Sequence, residues 1–207
     1  MKVQKTIKTI ELTTTIVFAI ALLFFLVTSF QNTNSCPVKG DGKSIKDQTA
    51  DSLKNRPLPN VFNSQQTEID DFLKLPTDNK AIPLQTKLIS MTGYIFDAKW
   101  GGQESCECHV KDKSFFDIHI EIVKDLNAAD KTKRIICEVT RYSRLSNSNL
   151  TYDYIKSLIG KKVKISGYLF YDEEHKQNAA NTSKSQTNVW RSTCWEIHPV
   201  FNIEEIK

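Results

Sequence analysis

The densest run of reactive side chains lies between Trp100 and Glu121: Trp-Gly-Gly-Gln-Glu-Ser-Cys-Glu-Cys-His-Val-Lys-Asp-Lys-Ser-Phe-Phe-Asp-Ile-His-Ile-Glu. It holds two of the five cysteines, two of the four histidines and a Gly101-Gly102 turn, and it ends with Asp117, His119 and Glu121 at alternate positions. Two chemistries suit these residue types. Cys106, Cys108, His109 and His119 offer the thiolates and imidazoles that Zn²⁺ takes in tetrahedral geometry. Their Cys-x-Cys-His spacing is not the Cys-x₂-Cys loop of a zinc knuckle, however. Asp117, Glu121 and Glu138 offer carboxylates for a Ca²⁺-type cation, and Arg141, Arg144 or Arg191 could meet an anionic transition state. Together these would equip a metal-dependent phosphodiester hydrolase.

Each reading has a plainer competitor. Five cysteines (36, 106, 108, 137 and 194) is an odd count, so an oxidising compartment would leave at least one thiol outside a disulfide. Cys106 and Cys108 are too close in sequence for an easy bridge to each other. Alternating Asp, His and Glu is also what the solvated face of an antiparallel strand carries.

A second polar cluster runs from Asp172 through His175, Asn178 and Asn181 to Trp190-Arg191, with Glu196 and His198 close behind. Whether the two clusters meet depends on the elements around them. Leu88–Phe96 reads as a strand carrying Gly93. Phe116–Val123 alternates strictly, with Phe116, Ile118, Ile120 and Ile122 opposite Asp117, His119 and Glu121. Arg134–Tyr142 is a third strand. Thr151–Ile159 is a helix with an apolar stripe of Tyr154, Ile155, Leu158 and Ile159, closed by Gly160. Lys162–Tyr171, carrying Gly167, is a fourth strand. Arg191–Pro199 is a fifth, which Val200–Ile206 either extends or follows as a short sixth.

Three strands, a helix and two strands is the order of an OB-fold, a mainly β, five-stranded Greek-key barrel with its helix between strands three and four. Its ligands lie on strands two and three, between the loops joining strands one to two and four to five. Those loops are the two polar clusters here. The fold therefore predicts that Asp117, His119, Glu121, Glu138, Arg141, Asp172, His175, Asn181, Arg191, Glu196 and His198 gather at one ligand-binding face.

Ahead of the barrel domain (87–207), residues 31–86 read as a polar linker punctuated by proline. It contains one short amphipathic helix near 67–75, where Thr67-x-x-Asp70 can form a capping box and Pro76 stops the chain. Residues 1–30 contain Ile16–Val27, twelve apolar residues without interruption, preceded by Lys2, Lys5 and Lys8. With its flanks this stretch approaches the roughly 20 residues that span a bilayer. The lysines hold its start in the cytoplasm and send the rest across. A single-pass signal-anchor in a bacterial membrane is the first expectation; cleavage to a secreted or periplasmic form is the alternative. Of the formal charge of +4, the first thirty residues account for half, so the remainder carries only +2. That near-neutral balance argues against nucleic acid as the partner.

The runs Gly93-Tyr-Ile, Gly101-Gly-Gln-Glu-Ser-Cys-Glu-Cys, Asp117-Ile-His-Ile-Glu and Glu138-Val-Thr resemble a family of uncharacterised bacterial exported, membrane-anchored proteins of OB-like fold. So do Gly167-Tyr-Leu-Phe, Asp172, His175, Ala180-Asn181 and Trp190-Arg-Ser-Thr-Cys-Trp-Glu-Ile-His-Pro-Val200. The similarity covers about residues 88–204 and extends to Lys54-Asn-Arg56. It implies a bacterial envelope location and imports no catalytic role. The reading that results is a membrane-tethered extracytoplasmic binding module for an envelope protein, a glycan or a peptide. The alternative is a metal-dependent phosphodiesterase working from the Asp117/His119/Glu121 face, with Zn²⁺ or Ca²⁺ as the cofactor.

Overall fold

Strict alternation of apolar and polar residues builds the middle of the chain. Strands β1 (Gln65–Thr67), β2 (Leu88–Trp100), β3 (Ile118–Val123), β4 (Ile135–Val139), β5 (Lys162–Tyr171) and β6 (Trp195–Glu205) form one sheet in the order β1-β2-β3-β4-β6-β5, and β5 pairs back onto β2. Five strands thus close into a barrel, with β1 added to β2 in parallel outside the ring. The barrel pairings are antiparallel except β4 with β6. This is a computed structural model, which describes residues 36–58, 63–128, 130–185 and 187–207. Among these residues no helix is long and apolar enough to cross a membrane, and the apolar stretch 16–27 lies outside them.

Closure depends on the thirteen-residue length of β2. Its first half pairs with β5, from Leu88↔Tyr168 to Tyr94↔Lys162, and its second half with β3, from Tyr94↔Val123 to Trp100↔Ile118. Gly93 and Gly167 sit where strands cross most closely. A Cβ on Gly93 would meet Ile122 Cγ2 at 2.5 Å, and one on Gly167 would strike the Pro199 carbonyl oxygen. Both glycines serve the close backbone approach that a tightly coiled small barrel demands. The inward residues, among them Ile118, Ile120, Ile122, Cys137, Ile165, Leu169, Trp195 and Ile197, form a single apolar core.

The segment ahead of the barrel departs from expectation. Instead of a polar linker, the stretch 36–58 is bound to the domain. Helix α1 (Ile45–Lys54) begins with a capping box in which Ser44 Oγ accepts from Asp47 N (3.1 Å) and Asp47 Oδ2 accepts from Ser44 N (3.0 Å). Cys36 is joined to Cys108 by a disulfide. Asn55 Nδ2 donates to the carbonyl of Cys106 (2.7 Å), and Arg56 reaches the His198 carbonyl (3.0 Å) while stacking on Tyr168. Polarity misled here because the segment packs through side-chain hydrogen bonds to backbone rather than through apolar burial. The helix expected near 67–75 is a single turn, α2 (Ile69–Phe72), which buries Ile69 and Phe72; Thr67 belongs to β1, so the capping box does not form.

Between β4 and β5 two short helices replace the one expected. Thr140 caps α3 (Arg141–Ser146) by accepting from Ser143 N, and Thr151 caps α4 (Tyr152–Ser157) by accepting from Tyr154 N. Thr140 therefore ends the third barrel strand three residues earlier than its alternation suggests, and Arg141 lies on a helix.

Candidate functional site

The face of β3 opposite the core is not solvated. Asp117, His119 and Glu121 are all buried, and His119 shares a cleft with the chain after β2 and the loop between β5 and β6. Buried polar groups need partners, and the partners come from every neighbouring element. His119 stands directly across from Glu138 in the β3–β4 register, and its Nδ1 lies 2.7 Å from Glu138 Oε1. Glu121 takes Arg134 at 2.8 Å and Lys99 at 3.3 Å. His119 Nε2 is 3.6 Å from Glu121, beyond hydrogen-bonding length.

A second ionic chain runs beside the first. Arg191, with no exposed surface, meets Asp172 at 2.9 Å, Glu196 at 2.8 Å and the Thr193 carbonyl at 2.8 Å. Asp172 also takes His175 Nδ1 at 2.5 Å. Glu196 lies 3.2 Å from His198 Nδ1, and His198 Nε2 lies 3.3 Å from Asp117. Trp190 stands between the two chains, its ring centroid 6.1 Å from that of His119 and 5.3 Å from that of His175.

These contacts set the charges. Burial pulls the His119 pKa down, but the Glu138 charge and the contacts with Glu121 and Glu138 outweigh it and raise it to about 9. Burial opposes the His198 cation too, yet Asp117 and Glu196 lift its pKa to about 10. The bond to Asp172 raises His175. Burial pushes Glu121 up, but His119, Lys99 and Arg134 bring it to about 2. An imidazole held as a cation through neutrality donates from both nitrogens and is a poor general base there.

A cleft of about 400 Å³ opens above these groups, walled by Lys54, Trp100, Glu104, His119, Glu138, Asp172, His175, Trp190, Arg191, Glu196 and His198. A larger hollow of about 610 Å³ adjoins it against α1 and shares Lys54, Glu104 and Asp172. His119 Nε2 and Glu138 Oε2 are buried without a hydrogen-bond partner, and both residues line the smaller cleft.

Nine of the residues expected at the site, Asp117, His119, Glu121, Glu138, Asp172, His175, Arg191, Glu196 and His198, do come together in these two chains. Arg141 does not: it stacks on Phe115, with 3.7 Å between its guanidinium and the ring centroid. Asn181 donates to Thr193 Oγ1 (3.0 Å) and so holds the loop. The zinc set is not assembled either. Cys108 is spent in the disulfide, His109 is exposed beside Asp41 (3.1 Å), and His119 sits in the other network. The carboxylates of the hydrolase reading, Asp117, Glu121 and Glu138, do not form a cluster of donors within 4.8 Å of one another. Alternate residues of a strand are spaced roughly 7 Å apart, and Asp117, His119 and Glu121 are drawn to different partners. Among the described residues, the group whose donor atoms lie within 4.8 Å of one another is Cys106, Glu107 and Asp117. Lys54, Lys99, Glu104 and Arg134 were missed from sequence. The Lys54-Asn-Arg56 similarity was a signal for the first, whereas Lys99 comes across from His119 only through a β2–β3 register that extends past the expected strand end at Phe96.

No protein-family model and no curated protein sequence matches the chain. Among solved structures, it is similar to a Klebsiella pneumoniae lipoprotein described as nucleic-acid-binding, at 11% identity over 70% of this chain and 92% of that one, with a TM-score of 0.37. It is also similar to a Leishmania major protein described as an aspartyl-tRNA synthetase, at 7% identity and a TM-score of 0.35; the likeness covers 73% of this chain but 23% of that one. Scores this low carry no argument about function.

Proposed function

We propose that this chain is an OB-fold-like binding module, tethered to the outer face of a bacterial membrane by the apolar stretch 16–27, that takes a hydroxyl-bearing ligand in the cleft between its two polar loops. One observation carries the reading. His119 Nε2, a donor, and Glu138 Oε2, an acceptor, are buried beside the same cleft with no hydrogen-bond partner. A ligand with several hydroxyls meets both, one hydroxyl accepting from His119 Nε2 and another donating to Glu138 Oε2, which relieves two costly unpaired groups. Trp190 adds an apolar ring beside them, as in a small polar site with one aromatic wall. Of the candidate partners, a glycan supplies such hydroxyls most densely, ahead of a peptide or an envelope protein. The +2 balance of the chain beyond residue 30 continues to argue against nucleic acid.

The envelope location rests on the apolar stretch, its lysine flank and the resemblance to exported proteins. The test is calorimetric titration of the detergent-solubilised full chain with soluble cell-wall saccharides and, separately, with the stem peptides alone. Saccharide binding that falls at least tenfold in His119→Ala and Glu138→Gln is the expected result. Binding to peptide alone, or equal binding by both variants, would overturn it.

A further inference from the structure

Joined to the cleft residues Glu104 and His198 is a second donor cluster that the proposed binding function does not use. Cys106 and Glu107 occupy the 3₁₀ turn Ser105–Glu107, and Asp117 immediately precedes β3. Their exposures are 1%, 5% and 7%, and one sulfur and two carboxylate oxygens lie within 4.8 Å of one another. Donors around a tetrahedral ion, with bonds of about 2.0 Å to oxygen and 2.3 Å to sulfur, are roughly 3.3–3.5 Å apart, so the three groups would draw in on the ion from within that limit.

The turn is held in shape from outside. Glu104 N donates to Glu107 Oε2 (3.1 Å), Asn55 binds the Cys106 carbonyl (2.7 Å), Gly101 N binds the Asp117 carbonyl (2.8 Å), and the disulfide anchors Cys108. Of the basic neighbours, Lys54 is hydrogen-bonded to Glu104 at 2.6 Å and Arg144 to the carbonyls of Val139 (2.9 Å) and Ser114 (2.8 Å), while His198 pairs with Asp117 at 3.3 Å.

An independent observation points the same way. His198 is 2% exposed, and its Nε2 forms an ion pair with Asp117 Oδ2 at 3.3 Å. Its other nitrogen is 3.2 Å from Glu196. A buried carboxylate–imidazole relay aimed at one member of a thiol–carboxylate cluster is how outer partners orient metal ligands.

We propose that Cys106, Glu107 and Asp117 form a buried divalent-metal site of the zinc type, with His198 as the residue that positions Asp117. A thiolate with two carboxylates suits Zn²⁺ better than the harder Ca²⁺ or Mg²⁺. Binding releases the Cys106 thiol proton to solvent as the sulfur–metal bond forms. The ion would pin the turn after the first cleft loop to the start of β3, beside the disulfide.

The experiment uses the detergent-solubilised full chain, purified without reductant and stripped with a chelator, with Co²⁺ as the probe and Zn²⁺ as the competitor. The expected result is one Co²⁺ per chain with a near-ultraviolet thiolate-to-cobalt absorption that Zn²⁺ abolishes. That absorption is lost in Cys106→Ser and kept in His109→Asn, and His198→Gln weakens Co²⁺ binding about 10- to 100-fold without removing it. If Cys106→Ser does not fold, Asp117→Asn decides: it should retain the absorption and bind Co²⁺ at least tenfold more weakly. No thiolate absorption in the folded wild type, the same absorption in folded Cys106→Ser, or wild-type affinity in Asp117→Asn would each overturn the proposal. Binding without the absorption means an adventitious ion only.

Discussion

His119 and Glu138 face each other across β3 and β4, and the 2.7 Å bond between them is set by strand register alone. The pair favours the imidazolium and leaves one buried donor and one buried acceptor without a hydrogen-bond partner. His119 binds its proton more tightly in the folded chain, where its pKa is about 9, than in the unfolded chain, where it is near 6.5. The stability this contributes is complete below about pH 6.5 and is lost as pH rises through about 9, because over that window the native state binds more protons than the unfolded state. The melting temperature should therefore fall from pH 6.5 to 9.5, and less steeply in Glu138→Gln. In that variant the His119 titration, followed by NMR, should move down toward the ordinary histidine range. An unmoved titration would separate the two residues.

Arg191 bridges Asp172 and Glu196 with no exposed surface. Arg191→Ala leaves buried Asp172 and Glu196 with only His175 and His198 as charged partners and should cost about 3–5 kcal/mol in chemical denaturation. Arg191→Lys should recover little of this, since a point ammonium cannot span both carboxylates as the guanidinium fork does. Full recovery by lysine would mean that charge alone matters there.

The Cys36–Cys108 bridge closes a separation of 72 residues. Cys36→Ser should lower stability by about 2–4 kcal/mol and expose the 36–42 segment to proteolysis. Under denaturing, non-reducing conditions the wild-type chain should titrate three thiols, those of Cys106, Cys137 and Cys194. Five thiols, or a different bridged pair by peptide mapping, would contradict the linkage.

Gly167→Ala places a methyl against the Pro199 carbonyl oxygen and Ile197 Cγ2 at the irregular part of the β5–β6 ladder. Crowding a backbone crossing leaves nothing flexible to yield, so a loss of about 1–3 kcal/mol is expected, read as an earlier urea midpoint. A neutral substitution would show that the strands can separate there without penalty.

The sequence by itself determined what depends on near neighbours. Alternation of Ile118, Ile120 and Ile122 with Asp117, His119 and Glu121 defines β3, the run Lys162–Tyr171 coincides with β5, and Gly93 and Gly167 mark where the barrel must coil. It also located both polar loops, and nine of their predicted residues do meet. Only the tertiary structure decided how far those groups are buried and with whom they pair. Alternation cannot distinguish a solvated strand face from one roofed by distant chain, because the roof here comes from residues near Lys54, Glu104 and Trp190, far from β3 in sequence. The same holds for the cysteines. Cys-x-Cys suggested a shared ligand pair, but folding brings Cys36 to Cys108 and turns Cys106 inward beside Glu107 and Asp117. The Trp100–Glu121 stretch thus splits between two networks, one of His119 and Glu121 and one of Cys106, Glu107 and Asp117, because a strand turns alternate residues to one face but its neighbours choose their partners.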